Sequence, residues 1–345
     1  MIKIGKTIPE LDALALNFSQ MLEKEFSITN NLQQKIDSLP AGTHERQFYT
    51  DLQSQMPELL TGQPSKLRDI IKMVNKSFEV IVYSRWKAQE NDKNSLEIKS
   101  IKKRFSDEIK KIFNYSGFSS NKDLAYKHCE DLGVTVCLYC NMNYTLAVSG
   151  DDGGVARPDF DHFFSQSDYP YLAVSFYNLV PSCLTCNSRY KHIKEFTIED
   201  NIHPFIEGSD KLRVFRIGVD SIEFLEGKKD FQITIESTDN RHPDDRRIKN
   251  NHDIFHILEN AQFHKAIVGE LIKKAYMYSD LKMGELLNSY KIGNEKLFKD
   301  PDEIKEIIFG NYISDEKLHL RPLSKLTRDI WDELRITAMN RNIKI

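Results

Sequence analysis

Four of the five cysteines in this 345-residue chain form two pairs with the same internal spacing. The pairs are Cys137-Leu-Tyr-Cys140 and Cys183-Leu-Thr-Cys186, and Cys129 stands apart from them. Two thiolates in one tight turn can bind the same ion, and two such turns complete the tetrahedral coordination that Zn²⁺ prefers. Four thiolates leave no position for water, so the sequence predicts a structural zinc site. The alternative is that these are four unrelated buried cysteines.

The other side chains that could do chemistry lie between the two cysteine pairs or just after them. They are found in Asp159-Phe-Asp-His-Phe163, at Asn178 and at Asn187. Histidine is the side chain whose unperturbed pKa lets it take a proton from water near neutral pH. Carboxylate and amide oxygens suit a hard cation such as Mg²⁺, which stabilises charge on a phosphate. These residue types therefore suit the hydrolysis of phosphodiester bonds.

The order of these residues resembles the HNH endonuclease family, also called His-Me finger or ββα-metal nucleases. That family has Asp-His at the end of a first strand, an Asn in the following loop and a metal-binding residue at the start of a helix, often with two zinc knuckles. Here Asp161-His162, Asn178 and Asn187 follow in that order, within residues 134–194. The resemblance implies an α+β fold, in which a mostly helical chain surrounds a zinc-bound ββα-metal core.

The resemblance also implies a role for each motif residue. His162 would be the general base, and Asp161 and Asn187 would bind the catalytic Mg²⁺ or Mn²⁺. Asn178 would keep His162 in the right orientation and tautomer through backbone contacts around the loop. The last motif position is often His in the family, and the Asn187 found here argues against a tightly bound soft metal.

Simpler interpretations of the same residues stay open. His162 could be an ordinary core or surface histidine, and Asn178 a turn residue. Asn141 follows the first cysteine pair as Asn187 follows the second, so Asn187 could merely suit a left-handed turn beyond a knuckle.

The charged residues around the motif also leave two interpretations open. Asp159 points to the same side of a strand as Asp161, so it could assist the metal or remain solvent-exposed. Arg189, Lys191 and Lys194 could contact phosphates or simply be solvated.

Composition limits the class of protein. The chain carries a net charge of −3 with 40% hydrophobic and 29% charged residues, which is typical of a globular protein. No run approaches the roughly 20 apolar residues of a membrane helix. The N-terminus lacks the apolar core of a signal peptide, so we expect a cytoplasmic protein without a membrane partner. The mild acidity excludes a uniformly basic DNA-coating protein but not a local basic groove.

The length and the apolar patterns predict three regions. Residues 1–125 form a helical domain, because apolar residues recur at three- and four-residue intervals over Pro9–Phe26 and Ser65–Val82. Residues 126–205 form the nuclease core with its zinc knuckles. Residues 206–345 form a small antiparallel sheet followed by helices.

Shorter signals give the elements of the second and third regions. Val134–Val136 and Tyr144–Val148 are strand candidates, and Ser149–Gly154 is typical of a hairpin turn. Apolar residues alternate over 210–236, with a turn expected at 227–230.

The segment from Phe163 to Cys183 resembles a bacterial subgroup, the HNH effectors of Septu anti-phage systems and of retron-associated versions. There the nuclease works beside an SMC-like ATPase. The resemblance implies an endonuclease that cuts DNA in defence against phage, with an SMC-like ATPase as partner and flanking helices that could also form a homo-oligomer. An RNA substrate stays open. The alternative of a different class is a non-catalytic, zinc-clipped nucleic-acid-binding or scaffold protein, which zinc knuckles alone would permit.

Overall fold

The computed structural model describes residues 1–87, 95–209, 211–218, 231–278 and 280–340. Helices dominate these residues, and each strand in them belongs to a two-stranded antiparallel sheet. The expected α+β class, with a mostly helical chain and small antiparallel sheets, is confirmed.

Most of the described residues between Ile8 and Leu132 are helical. The first helix begins at a capping box, in which Thr7 Oγ1 accepts from the Glu10 N–H and the Glu10 carboxylate accepts from the Thr7 N–H. The helices are α1 (Ile8–Phe26), α2 (Ile28–Asp37), α3 (His44–Ser54), α4 (Met56–Thr61), α5 (Pro64–Lys87), α6 (Ser95–Phe113), α7 (Tyr115–Ser120) and α8 (Leu124–Leu132). The predicted helices over Pro9–Phe26 and Ser65–Val82 are confirmed by α1 and α5.

Short strands and short helical segments make up the centre of the chain, and two of these segments are 3-10 turns, Pro170–Leu172 and Phe176–Asn178. The strands are β1 (Val148–Gly150), β2 (Gly153–Ala156), β3 (Asp159–His162) and β4 (Leu179–Ser182). β1 pairs with β2 across the turn predicted at Ser149–Gly154, and β3 pairs with β4 so that Asp161 faces Val180. A π-helical segment, Thr185–Lys191, follows β4 and is called the knuckle helix below.

The strand predictions beside the first cysteine pair are wrong. A single backbone bridge joins Val134–Val136 to Tyr144–Val148, and β1 begins only at Val148. The backbone N–H of Thr135 donates to the carbonyl of His319, in the C-terminal region. The two segments pair no further, because the backbone N–H of Thr135 is used in this distant contact and that of Cys137 donates to Asn143 within the knuckle turn.

The third region begins with the expected sheet. β5 (Arg213–Gly218) pairs with β6 (Gln232–Ser237) in an antiparallel ladder, which confirms the alternation predicted there. The predicted turn at 227–230 lies outside the described residues. The remaining elements are α9 (Asp245–Ile254), α10 (Ile257–Gln262), α11 (Lys265–Met277), α12 (Asp280–Ser289), β7 (Lys291–Ile292), β8 (Glu295–Lys296), α13 (Pro301–Phe309) and α14 (Ser324–Asn340).

One apolar core connects the three predicted regions. Phe18 of α1 packs against Phe176, just before β4, with ring centroids 5.9 Å apart. Tyr139, in the first knuckle, stacks on Phe255, at the end of α9, at 4.3 Å. The β3–β4 pair is therefore supported by helices from both ends of the chain. Within the described residues, no helix combines the length and apolarity needed to cross a membrane.

Candidate active site and metal centre

The four paired cysteines come together in the structure. The Sγ atoms of Cys137, Cys140, Cys183 and Cys186 lie within 4.8 Å of one another, and Cys183, the most exposed, is only 9% exposed. The side-chain amide of Asn143 lies 3.5 Å from the Cys183 sulfur and can donate to it. These residues are placed to hold a zinc ion with no position left for substrate.

The protonation of these thiols agrees with a metal site. Burial raises the pKa of Cys137 well above its usual range, whereas a hydrogen bond from Cys137 lowers the pKa of Cys183. Four buried sulfurs cannot all ionise without a cation, and zinc binding supplies that charge while displacing the protons. Cys129 lies outside the cluster, and burial raises its pKa to about 12, so it is a protonated core thiol.

His162 ends β3, with its ring half-buried. Its Nε2 atom lies 2.9 Å from the carbonyl oxygen of Ala173, so Nε2 carries the hydrogen and donates it. Among the described residues, none hydrogen-bonds to Nδ1. The ring of Tyr115 contacts the imidazole edge-on at 4.7 Å. Burial lowers the pKa of His162 to about 4, so the imidazole is neutral at pH 7 and can accept a proton at Nδ1.

Asn178 organises the loop between β3 and β4. Its Oδ1 accepts from the backbone N–H of Phe164 at 2.7 Å, and its Nδ2 donates to the carbonyls of Phe164 and Leu172 at 3.2 and 3.0 Å. The side chain is fully buried. Leu172 adjoins Ala173, the acceptor for His162, so Asn178 holds the loop segment next to the carbonyl that the imidazole contacts. This contact set is larger than a plain turn residue would need.

The side chain of Asp161, a residue of β3, forms a buried ion pair. The ammonium group of Lys191 lies 3.0 and 2.9 Å from the two carboxylate oxygens, and Tyr139 donates its hydroxyl hydrogen at 2.6 Å. Lys191 also donates to the backbone carbonyl of His162. A cation could bind Asp161 only if Lys191 moved away, so Asp161 does not fit the metal-ligand role in this arrangement.

Sequence reasoning missed both partners of Asp161. The sequence predicts Lys191 to be either a phosphate contact or a solvated side chain, and it is neither, because it is 3% exposed. Burying a lysine is rare unless it is paired, and nothing in the local sequence marks the pairing. Arg189 and Lys194, by contrast, are exposed.

Asn187 lies in the knuckle helix, not in a left-handed turn. Its Nδ2 atom is 3.5 Å from a carboxylate oxygen of Asp159. Asn141 differs, because its φ is +55° and its side chain donates to the carbonyl of Leu318. The turn-residue interpretation therefore applies to Asn141 only. Asp159 and Asn187 are the hard oxygen donors that this arrangement leaves available beside β3.

Comparisons of the chain with protein-family models, with curated proteins and with solved structures found no match. The resemblance to HNH nucleases therefore depends on the motif residues and on their geometry.

Proposed function

We propose that this chain is a metal-dependent HNH-type endonuclease that hydrolyses phosphodiester bonds of DNA. The observation that carries the proposal is the 2.9 Å contact between His162 Nε2 and the Ala173 carbonyl, which leaves Nδ1 as the proton acceptor. Asn178, fully buried, holds the loop that supplies this carbonyl. A general base must be unprotonated and fixed in position, and this imidazole meets both requirements.

The proposed step uses few groups. Nδ1 of His162 takes a proton from a water molecule, and the resulting hydroxide attacks the phosphorus atom. The bond between phosphorus and the leaving oxygen breaks, and that oxygen takes a proton from solvent. Mg²⁺ or Mn²⁺, when bound, would stabilise the charge that develops on the phosphate and on the leaving oxygen. Asn187 and Asp159 would be its protein ligands, and the zinc-bound cysteines would hold the frame.

The resemblance supports a role for this nuclease in bacterial defence against phage. An SMC-like ATPase would then be the partner, and the helical regions on either side of the core offer surfaces for it or for a second copy. A chain with net charge −3 attracts DNA weakly, so a partner that brings the DNA fits this proposal.

One observation favours the non-catalytic alternative. The Asp161 carboxylate, implied to be a metal ligand, is neutralised by Lys191 at 2.9 Å. A zinc-clipped module that only binds nucleic acid would need no exposed carboxylate there. The two functions therefore make different predictions for cleavage.

A plasmid-nicking assay with added Mg²⁺ or Mn²⁺ tests the proposal. We expect the wild type to cut and His162→Ala to be slower by about 10²–10⁴-fold, the usual contribution of a general base. His44→Ala, at an exposed position on α3, is the matched control and should cut like the wild type. Equal cleavage by wild type and His162→Ala would overturn the assignment, and DNA binding without any cleavage would favour the alternative.

A further inference from the structure

A groove of about 690 Å³ opens beside β3, between the hairpin β1–β2 and helices α7 and α8. This volume is within the range of about 300–1,000 Å³ that ligand sites usually have. Its lining includes the side chains of Lys122, Tyr126, Asp152, Val155, Arg157 and Asp159. Asp159 precedes His162 by three residues of the same strand, or about 10 Å at about 3.3 Å per residue. The groove therefore begins about 10 Å along the strand from the residue that carries the proposed general base.

Arg157 is held in the groove by neutral groups. Its Nη1 donates to the carbonyl of Pro158 at 2.7 Å, and its Nη2 donates to the carbonyl and hydroxyl of Ser119 at 2.7 and 2.8 Å. Ser119 lies in α7 together with Tyr115, whose ring contacts His162. Among the described residues, none places a carboxylate oxygen within 4.0 Å of this guanidinium. Its charge is therefore fixed in place without being neutralised.

Arg85 and Arg213, which are also half-buried, are each neutralised by a carboxylate. Arg85 meets Glu45 at 2.7 Å, and Arg213 meets Asp245 at 2.6 Å. The contacts of Arg157 leave its Nε hydrogen and one Nη1 hydrogen unused. A guanidinium that is pre-oriented and still has N–H donors suits a phosphate oxygen.

An aromatic surface lies in the same groove. A Cβ atom at Gly154 would stand 2.2 Å from the ring of Tyr126, so the glycine is what lets the ring lie against the hairpin backbone. Val155, beside it, is 71% exposed. Aromatic and apolar side chains next to a phosphate-binding cation are the elements that bind an unstacked nucleotide.

The charge of the groove argues against an extended binding surface for a polyanion. The lining contains two cationic residues, Lys122 and Arg157, and two carboxylates, Asp152 and Asp159, although neither carboxylate pairs with Arg157. A neutral groove with one fixed guanidinium favours a single phosphate in a defined place over diffuse attraction.

We propose that this groove binds one nucleotide of an unpaired DNA strand, next to the phosphate that is cut. The phosphate of that nucleotide contacts Arg157, and its base lies against Tyr126 and Val155. A base in a duplex is paired and stacked, so it cannot reach this surface. The substrate is therefore a single strand, or a duplex with an unpaired segment. This inference rests on the proposed nuclease function and specifies its substrate.

Binding without cleavage tests the groove separately from catalysis. A fluorescently labelled single-stranded DNA and the duplex of the same sequence are titrated with the protein, without added divalent cation, and anisotropy is measured. We expect the single strand to bind more tightly. Arg157→Gln should weaken its binding about tenfold and reduce the salt dependence by about one phosphate. Tyr126→Leu should weaken the single strand about tenfold, as loss of one stacked base does, and leave the duplex unchanged.

Controls separate the possible failures. Lys24→Gln, at an exposed position on α1, should bind like the wild type, whereas Lys122→Gln should bind several-fold more weakly. Because Arg157 also bonds to the backbone, zinc content and melting temperature are measured to check that Arg157→Gln folds. If it does not fold, the binding of Lys122→Gln and Tyr126→Leu tests the groove. Folded groove variants that bind like the wild type would overturn this inference alone. A wild type that binds but never cuts would overturn only the nuclease function, and one that binds no DNA would overturn both.

Discussion

At the scale of single residues, the feature that decides most about this site is the ion pair between Asp161 and Lys191. Both side chains are only 4% exposed. Two charges removed from water stabilise a protein little as a pair, but either one is costly when left alone. Lys191 also holds the carbonyl of His162, so the pair fixes the end of the strand that carries the proposed base. The ion pair therefore positions the strand end that carries His162.

Lys191→Met should destabilise the protein by about 3–5 kcal/mol, because Asp161 would be left buried and unpaired. The double variant Asp161→Asn/Lys191→Met should recover much of this loss, since the uncompensated charge is gone. Lys194→Met, at an exposed neighbouring position, should change stability by less than about 0.5 kcal/mol. Urea unfolding measures all three free energies. A Lys191→Met protein as stable as the wild type would contradict a structural pair.

At the scale of elements, two strands and one short helix depend on the cysteine cluster. Cys183 directly follows β4, and its carbonyl accepts from the backbone N–H of Asn187 at 3.0 Å in the knuckle helix. The first knuckle is tied to the C-terminal helix, because the backbone N–H of Lys325 donates to Asn141 Oδ1 at 2.9 Å. The cluster thus joins segments that have few local contacts of their own.

Cys183→Ser should release the zinc and loosen β3, β4 and the knuckle helix, because metal affinity at such a site is also folding free energy. Cys129→Ser is the matched control, since that thiol is buried but lies outside the cluster. Zinc content by elemental analysis and amide hydrogen exchange over residues 134–194 are the measurements. Full zinc content in Cys183→Ser would refute coordination by four thiolates.

At the scale of the whole molecule, the buried histidines His128 and His203 lie between the helical region and the central strands. His128 of α8 lies against Phe18 at 4.5 Å and Phe176 at 5.2 Å. His203 contacts Phe163 at 4.5 Å. Burial lowers the pKa of both histidines to about 3, so both are neutral in the folded protein. Their protonation therefore opposes folding.

We expect the free energy of unfolding to fall as pH decreases from 6.5 toward 3. The unfolded chain, with a histidine pKa near 6.5, takes up protons over this interval, whereas the folded chain does not. Each buried histidine should contribute about 1.4 kcal/mol per pH unit. Denaturant unfolding between pH 5 and 7 measures the slope, to which Glu333, whose pKa burial raises to about 7, contributes with the opposite sign. His128→Phe should reduce the slope by one histidine's share, and His44→Gln should leave it unchanged. An unaltered slope in His128→Phe would show that His128 takes up its proton equally in the folded and the unfolded chain.

Some features of this protein follow from the sequence because they are local. The spacing within each cysteine pair predicted the metal cluster, and the apolar stripes over Pro9–Phe26 and Ser65–Val82 predicted α1 and α5. Each pattern is set by residues a few positions apart, on one turn or one helix face.

Tertiary structure decided the rest. The ion pair of Asp161 joins residues 30 positions apart, and the contact that ends the strand candidate at Thr135 comes from His319. The different conformations of Asn141 and Asn187, which share the same local motif, depend on what packs against each. The packing of distant segments determines such partners, so they cannot be predicted from the spacing of neighbouring residues.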